Sequence, residues 1–169
     1  MLEKDFNTIW NNMFKEIGFS YKIPDPQKNQ FGTITDSKRP FDIFSCAFQR
    51  NWYVENKLVK GGYYAFNFNR IEDHQWDNLE KIHKDTPSNI TIFGIGFYEP
   101  RKIFDFIIID LELAKYLKES QVSIKRKELL YLKEKGFIIT IKKKRFDINL
   151  IFDKILTINK WKEIFEEEN

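Results

Sequence analysis

Asp42, Glu55, Lys57 and Gln75 stand in that order on what reads as a strand, a second strand and a helix. The stretch from Asn51 to Val59, NWYVENKLV, is rich in aromatic and branched residues and is followed by the turn-forming pair Gly61-Gly62, which predicts a strand. Residues two apart on a strand share a face about 6.6 Å apart, so Glu55 and Lys57 project together. A carboxylate and an ammonium held side by side suit phosphodiester hydrolysis. A hard divalent cation on oxygen ligands neutralises charge at phosphorus and acidifies water, while a lysine orients or deprotonates the attacking water. Asp42 and Glu55 are the expected ligands, with the Asn56 carbonyl as a third oxygen. Mg2+, which wants octahedral oxygen coordination and keeps several waters, is the expected cofactor, with Mn2+ as a substitute. The competing reading of Glu55 and Lys57 is an edge-strand ion pair of little energetic weight. With 31% charged residues the chain makes acid-x-lysine triplets by chance, as at Asp36-Ser37-Lys38.

Three elements must position these groups. Pro40 to Phe48 reads as a largely buried strand with Asp42 near its start, and a connection around Gln49-Arg50-Asn51 returns the chain toward Glu55. Asp42 otherwise serves as a turn residue after Pro40. A helix capped at Asn69 places Ile71, Gln75, Leu79 and Ile82 on one face, so an amide is aimed inward and needs a hydrogen-bonding partner. His74 falls off that face and reads as a boundary residue.

The remaining pattern predicts one α/β domain over residues 1–169, with a helix and basic-hairpin extension at about 121–169. Phe6, Ile9, Trp10, Met13, Phe14 and Ile17 keep helical spacing up to a stop at Gly18. Glu3 continues that stripe toward the interior, or else serves the helix dipole as an N-terminal carboxylate. Asn89–Tyr98 and Phe104–Asp110 read as strands, Leu111–Glu119 and Lys125–Lys135 as helices, Phe137–Ile141 with Phe146–Phe152 as a hairpin, and the segment around Trp161 as a terminal helix. At 42% hydrophobic and 17% aromatic the chain is not disordered. Its lone Cys46 excludes a disulfide framework, which suits a reduced cytoplasmic setting, and no secretory signal or membrane span is expected. The net charge of +3 is unevenly spread. Lys142-Lys143-Lys144-Arg145 at a hairpin tip, and Lys60, Arg70 and Lys81 flanking the acid cluster, are the expected phosphate contacts, the bland alternative being solvated surface.

The run from Tyr53 to Ile82, YVENKLVKGGYYAFNFNRIEDHQWDNLEKI, resembles the core of RecU-type Holliday-junction resolvases in the PD-(D/E)XK nuclease superfamily. The pair His74-Gln75 on the helix after the Glu-x-Lys strand is its most specific part. Leu2-Glu3-Lys4, the proline-containing Lys22-Ile23-Pro24-Asp25-Pro26 and the strand Phe104–Asp110 extend the likeness over most of the first 120 residues. The resemblance implies a restriction-endonuclease-like mixed sheet flanked by helices. It implies Asp42, Glu55 and Lys57 as catalytic, Gln75 as supporting, and Glu3 as a further carboxylate near the metal. Branched DNA is the implied substrate and a homodimer the implied assembly, in DNA recombination and repair. Pro40-Phe41 stands where the family often has threonine before the aspartate, and Gln27 to Arg39 is short for the stalk that engages junctions. A general or sequence-specific deoxyribonuclease, and a DNA-binding protein that does not cut, are the rival readings on the same fold.

Overall fold

The computed structural model describes residues 2–24, 38–86, 88–100 and 104–166. Asp25, Pro26 and the segment expected to be too short for a stalk, from Gln27 to Ser37, lie outside the described residues. The chain forms a mixed sheet flanked by helices, within the α/β class that the strand and helix patterning predicts. Helix α1 (Glu3–Lys15) precedes β1 (Phe19–Lys22), β2 (Ile43–Ala47) and β3 (Arg50–Lys60), which pair antiparallel in sequence order. After β4 (Phe66–Asn67) and a single 3-10 turn, α2 (Asp73–Asp85) crosses to β5 (Asn89–Tyr98), which lies parallel to β3. Then β6 (Phe104–Asp110) returns antiparallel and leads into α3 (Leu111–Ser120). Beyond β7 (Ser123–Ile124), which pairs with β4 in a small second sheet, come α4 (Arg126–Glu134) and β8 (Ile139–Ile141). The last elements are α5 (Ile151–Lys154), β9 (Ile155–Leu156) and α6 (Ile158–Glu166). The main sheet runs β1-β2-β3-β5-β6-β8, with β9 added beside β6.

Alternation along the central strands loads both faces. Trp52, Val54, Leu58, Ile92, Phe106 and Ile108 pack with Phe6, Trp10 and Phe14 of α1 on one side. Val59, Phe93, Ile95, Phe97, Ile107 and Ile109 pack with Trp76, Leu79, Leu113 and Leu117 on the other. A strand buried on both faces reads as a continuous apolar run, which is why Phe104–Asp110 and Asn89–Tyr98 were legible. Gly94 lets α1 and β5 close up, because a Cβ there would lie 2.1 Å from Asn56 Oδ1 and 3.1 Å from the Trp10 ring.

Four expectations are corrected. The β2–β3 connection is the pair Phe48-Gln49, both at positive φ (53° and 59°), with Ala47 facing Arg50, so the turn is tighter than one around Gln49-Arg50-Asn51. Its φ values match the primed turns whose twist suits hairpins. The stretch Phe146–Phe152 is not a returning strand. Lys142 and Arg145 close a bridge over Lys143-Lys144, after which the chain coils into a 3-10 turn at Ile148–Leu150 and then α5, which pack Phe146, Ile148 and Ile151 into the core. Asn69 caps nothing on α2. It lies in the 3-10 turn, its N–H held by the Asn67 side chain, and α2 is capped by Glu72. Finally, α1 ends before Ile17, which is exposed, and Gly18 acts by close approach rather than as a left-handed stop, a Cβ there meeting the Cys46 carbonyl oxygen at 2.1 Å.

Candidate active site

Strand β3 outruns β2. Their ladder stops at Ile43 opposite Val54, leaving the β2-side edge of β3 from Glu55 to Lys60 without a strand partner among the described residues. Unpaired backbone groups at a buried edge are costly, and here side chains satisfy them. The Asp42 N–H still donates to the Val54 carbonyl at 3.0 Å, and Asp42 Oδ2 then accepts the Asn56 N–H at 2.8 Å. Glu3 Oε2 accepts the Leu58 N–H at 3.1 Å, and Arg70 Nη2 donates to the Leu58 carbonyl at 3.0 Å. A residue in an antiparallel ladder turns its N–H and C=O to the same neighbour, so the Asn56 carbonyl faces this same edge, between the positions held by Asp42 and Glu3. The overhang thus gathers Asp42, Glu3 and the Asn56 carbonyl. The Asn56 side chain points to the opposite face, where its Nδ2 donates to Asn7 Oδ1 at 2.7 Å.

Glu55, Lys57 and Gln75 meet on the α2 side of the sheet. Lys57 Nζ donates to Glu55 Oε1 at 2.7 Å, Gln75 Nε2 donates to the same oxygen at 2.6 Å, and Lys57 Nζ also reaches Gln75 Oε1 at 3.2 Å. Gln75 Oε1 additionally accepts the Glu72 N–H at 3.1 Å, so one amide both caps α2 and clamps the acid–lysine pair. This is the partner that the inward face of α2 required of it. All four side chains are buried, Asp42 and Glu55 fully, Gln75 to 5% exposure and Lys57 to 8%.

Burial and mutual repulsion set the charges. Burial pushes the Glu55 carboxyl up to about 8, Asp42 adds to the rise, and Lys57 and Arg39 oppose it. Burial likewise raises Asp42, against Arg39, the Asn56 N–H and Lys57, with Glu3 adding to the rise. Two carboxylates that resist ionisation side by side are what a bound cation relieves.

The residues fit a hard divalent ion. Among the described residues Glu55 Oε2 is buried with no hydrogen-bond partner, and Asp42 Oδ1 is met by Arg39 Nη2 at 2.6 Å as an ion pair without hydrogen-bond alignment. No three His, Cys, Asp or Glu side chains gather as a metal cluster among the described residues. Asp42, Glu55 and the Asn56 carbonyl would make a small oxygen set of the kind that suits Mg2+ with its retained waters. Glu3 stands beside this set with one oxygen committed to Leu58.

The expected phosphate contacts divide. Lys60 and Arg70 line a cleft at the β3 overhang together with Leu2, Glu3, Lys4 and Leu58. Lys81 is exposed on α2 and, six residues from Gln75 at about 100° per residue, faces away from the site. Lys142, Lys143 and Lys144 are exposed at the tight tip, while Arg145 pairs with Glu16 at 2.7 Å. His74 sits at the boundary, its ring nitrogens near the Arg39 carbonyl and Glu72. Arg39 escaped sequence reading, although a basic residue three positions before a buried acid was the available signal. No helix among the described residues is long and apolar enough to cross a membrane. Comparison of the chain with family models and with curated proteins gives no match.

Proposed function

We propose that this chain is a Mg2+-dependent endodeoxyribonuclease of the PD-(D/E)XK kind. The observation that carries the reading is the fully buried pair Asp42 and Glu55, both reluctant to ionise, with Lys57 and Gln75 fastened to one oxygen of Glu55 and its other oxygen unpartnered among the described residues. A purely structural ion pair has no use for a second buried acid beside it. Asp42, Glu55 and the Asn56 carbonyl would hold the metal, with Mn2+ able to replace it. When bound, Mg2+ supplies Lewis acidity toward a phosphoryl oxygen and a lowered pKa for water.

The chain's own residues do the positioning. An ammonium has three donors. Lys57 commits two, to Glu55 and Gln75, and turns the third toward the attacking water or a phosphate oxygen. Gln75 fixes the direction of both partners, because its Oε1 already accepts from the backbone of Glu72 and its Nε2 must therefore face Glu55. Arg39 neutralises part of the acid charge from the outer side.

Branched DNA is the substrate class and a homodimer the assembly that we attach to this reading, from the resemblance around Glu55 to Gln75. Labelled four-way junction, flap, single-stranded and plain duplex DNA incubated with the purified protein and Mg2+ test it. Cleavage of the junction in preference to duplex supports the reading, cleavage of duplex alone moves the protein to general deoxyribonucleases, and binding without cleavage of any substrate overturns it.

A further inference from the structure

The cleft at the β3 overhang has a volume of about 420 Å³ and brings together Lys4 from the first turn of α1, Lys60 from the end of β3, and Arg70 from the turn before α2. These three cations come from three separate elements, so their convergence is a product of the fold rather than of one charged run. The cleft's acid, Glu3, already accepts the Leu58 N–H. Arg70 is held in place: one Nη2 donates to the Leu58 carbonyl at 3.0 Å and its guanidinium lies 5.8 Å from the centre of the Phe66 ring. A guanidinium carries five donors, which leaves others to face an oxyanion from a fixed position.

We propose that this cleft binds a phosphate of the strand being cut, one or two nucleotides from the scissile one, and so sets where the cut falls. It rests on the reading of Asp42, Glu55 and Lys57 as a phosphodiesterase site. The spacing follows from β3 itself. From the Asn56 carbonyl to Leu58 and Lys60 the strand advances about 6.6 to 13 Å. Successive phosphates of a DNA strand rise about 3.4 Å along the helix axis but, wound at its rim, lie roughly 7 Å apart in space, so a strand lying along that edge covers one or two steps. Lys81 and the tip lysines have no part in this contact.

The test uses the full chain carrying Glu55→Gln, so that DNA stays intact, and measures affinity for a labelled oligonucleotide by fluorescence anisotropy over a salt series. Adding Lys60→Gln and Arg70→Gln together should flatten the slope of log affinity against log salt by about 0.7 to 0.9, the loss of one phosphate contact. Arg70→Lys, which keeps the charge, and Lys4→Gln, which is at an exposed position, guard against a merely misfolded double variant: the first should retain most of the slope and the second should lose part of it. Neutral methylphosphonate linkages introduced one at a time should then weaken binding at one position one or two nucleotides from the cut, and the double variant should be indifferent there. An unchanged salt slope, or undiminished sensitivity to that linkage in the double variant, overturns the cleft while leaving the nuclease reading standing. Absence of Mg2+-dependent cleavage by the unaltered protein overturns that reading and, with it, the placement of the phosphate.

Discussion

Asp42 Oδ2 accepts the Asn56 N–H at 2.8 Å, two residues past Val54 where the β2–β3 pairing ends, so a carboxylate occupies the place where a strand carbonyl would continue the ladder. That contact fixes one oxygen of Asp42 against β3 and leaves the other to charge chemistry. It separates a geometric role from an electrostatic one in a single side chain. Asp42→Asn can keep the first, since an amide oxygen accepts the same N–H, and must lose the second. Cleavage should therefore be abolished while DNA binding and the melting temperature are largely retained, as read by single-turnover assays, anisotropy and thermal unfolding. Undiminished cleavage by this variant would remove Asp42 from the metal set.

Lys57→Ala removes the ammonium that, in the proposed mechanism, would contact the attacking water or a phosphate oxygen. Single-turnover cleavage should fall by about 10²-fold or more, with metal affinity still measurable by titration. A loss below about tenfold would make Lys57 a structural cation only.

Metal-free stability should depend on pH in a definite direction. Glu55 holds its proton to about 8 in the folded chain against 4.5 ordinarily, so between those values the folded state binds more protons than the unfolded one. Stability then falls as pH rises through that window, by up to about 1.4 kcal/mol per pH unit for one proton, and Asp42 contributes with the same sign. Denaturant midpoints over a pH series should show this slope, and Glu55→Gln should flatten it. Because Mg2+ competes with that proton, its affinity should climb across the same range.

Gln75→Leu tests the double duty of the amide. Losing the acceptor for the Glu72 N–H should cost about 1 kcal/mol of stability, the usual scale for a helix cap. Cleavage should fall as well, because Lys57 and Glu55 lose their shared brace. Gln75→Glu restores the cap acceptor but sets a third carboxyl beside Asp42 and Glu55, so stability should recover in part and cleavage should not. Equal recovery of both would confine Gln75 to the helix end.

At the distal tip, changing Lys142, Lys143, Lys144 and Arg145 together to Gln should flatten the salt dependence of DNA affinity if these cations meet phosphate. Arg145 adds little to stability through Glu16, an exposed pair. An unchanged slope with intact circular dichroism would assign the tip to solubility.

The sequence determined the parts whose signal is local. Period-two alternation and buried apolar runs placed β3, β5 and β6, helical spacing placed α1, α3 and α4, and the two-residue offset of Glu55 and Lys57 put both on one face without knowledge of any neighbour. The inward direction of Gln75 was equally legible from Ile71 and Leu79. Short elements were not. The four-residue β1 and the two-residue β4, β7 and β9 exist because a partner edge is there to receive them, and nothing in four or fewer residues announces that. The stretch Phe146–Phe152 alternates weakly enough to pass for a strand, but its apolar residues find the α1 side of the core by coiling. Only the tertiary structure decided that β3 would outrun β2. That mismatch of strand lengths creates an edge whose backbone groups must be met by Asp42, Glu3 and Arg70, residues far apart in sequence. It is why the acids gather at the Asn56 carbonyl and why Lys4, Lys60 and Arg70 share a cleft.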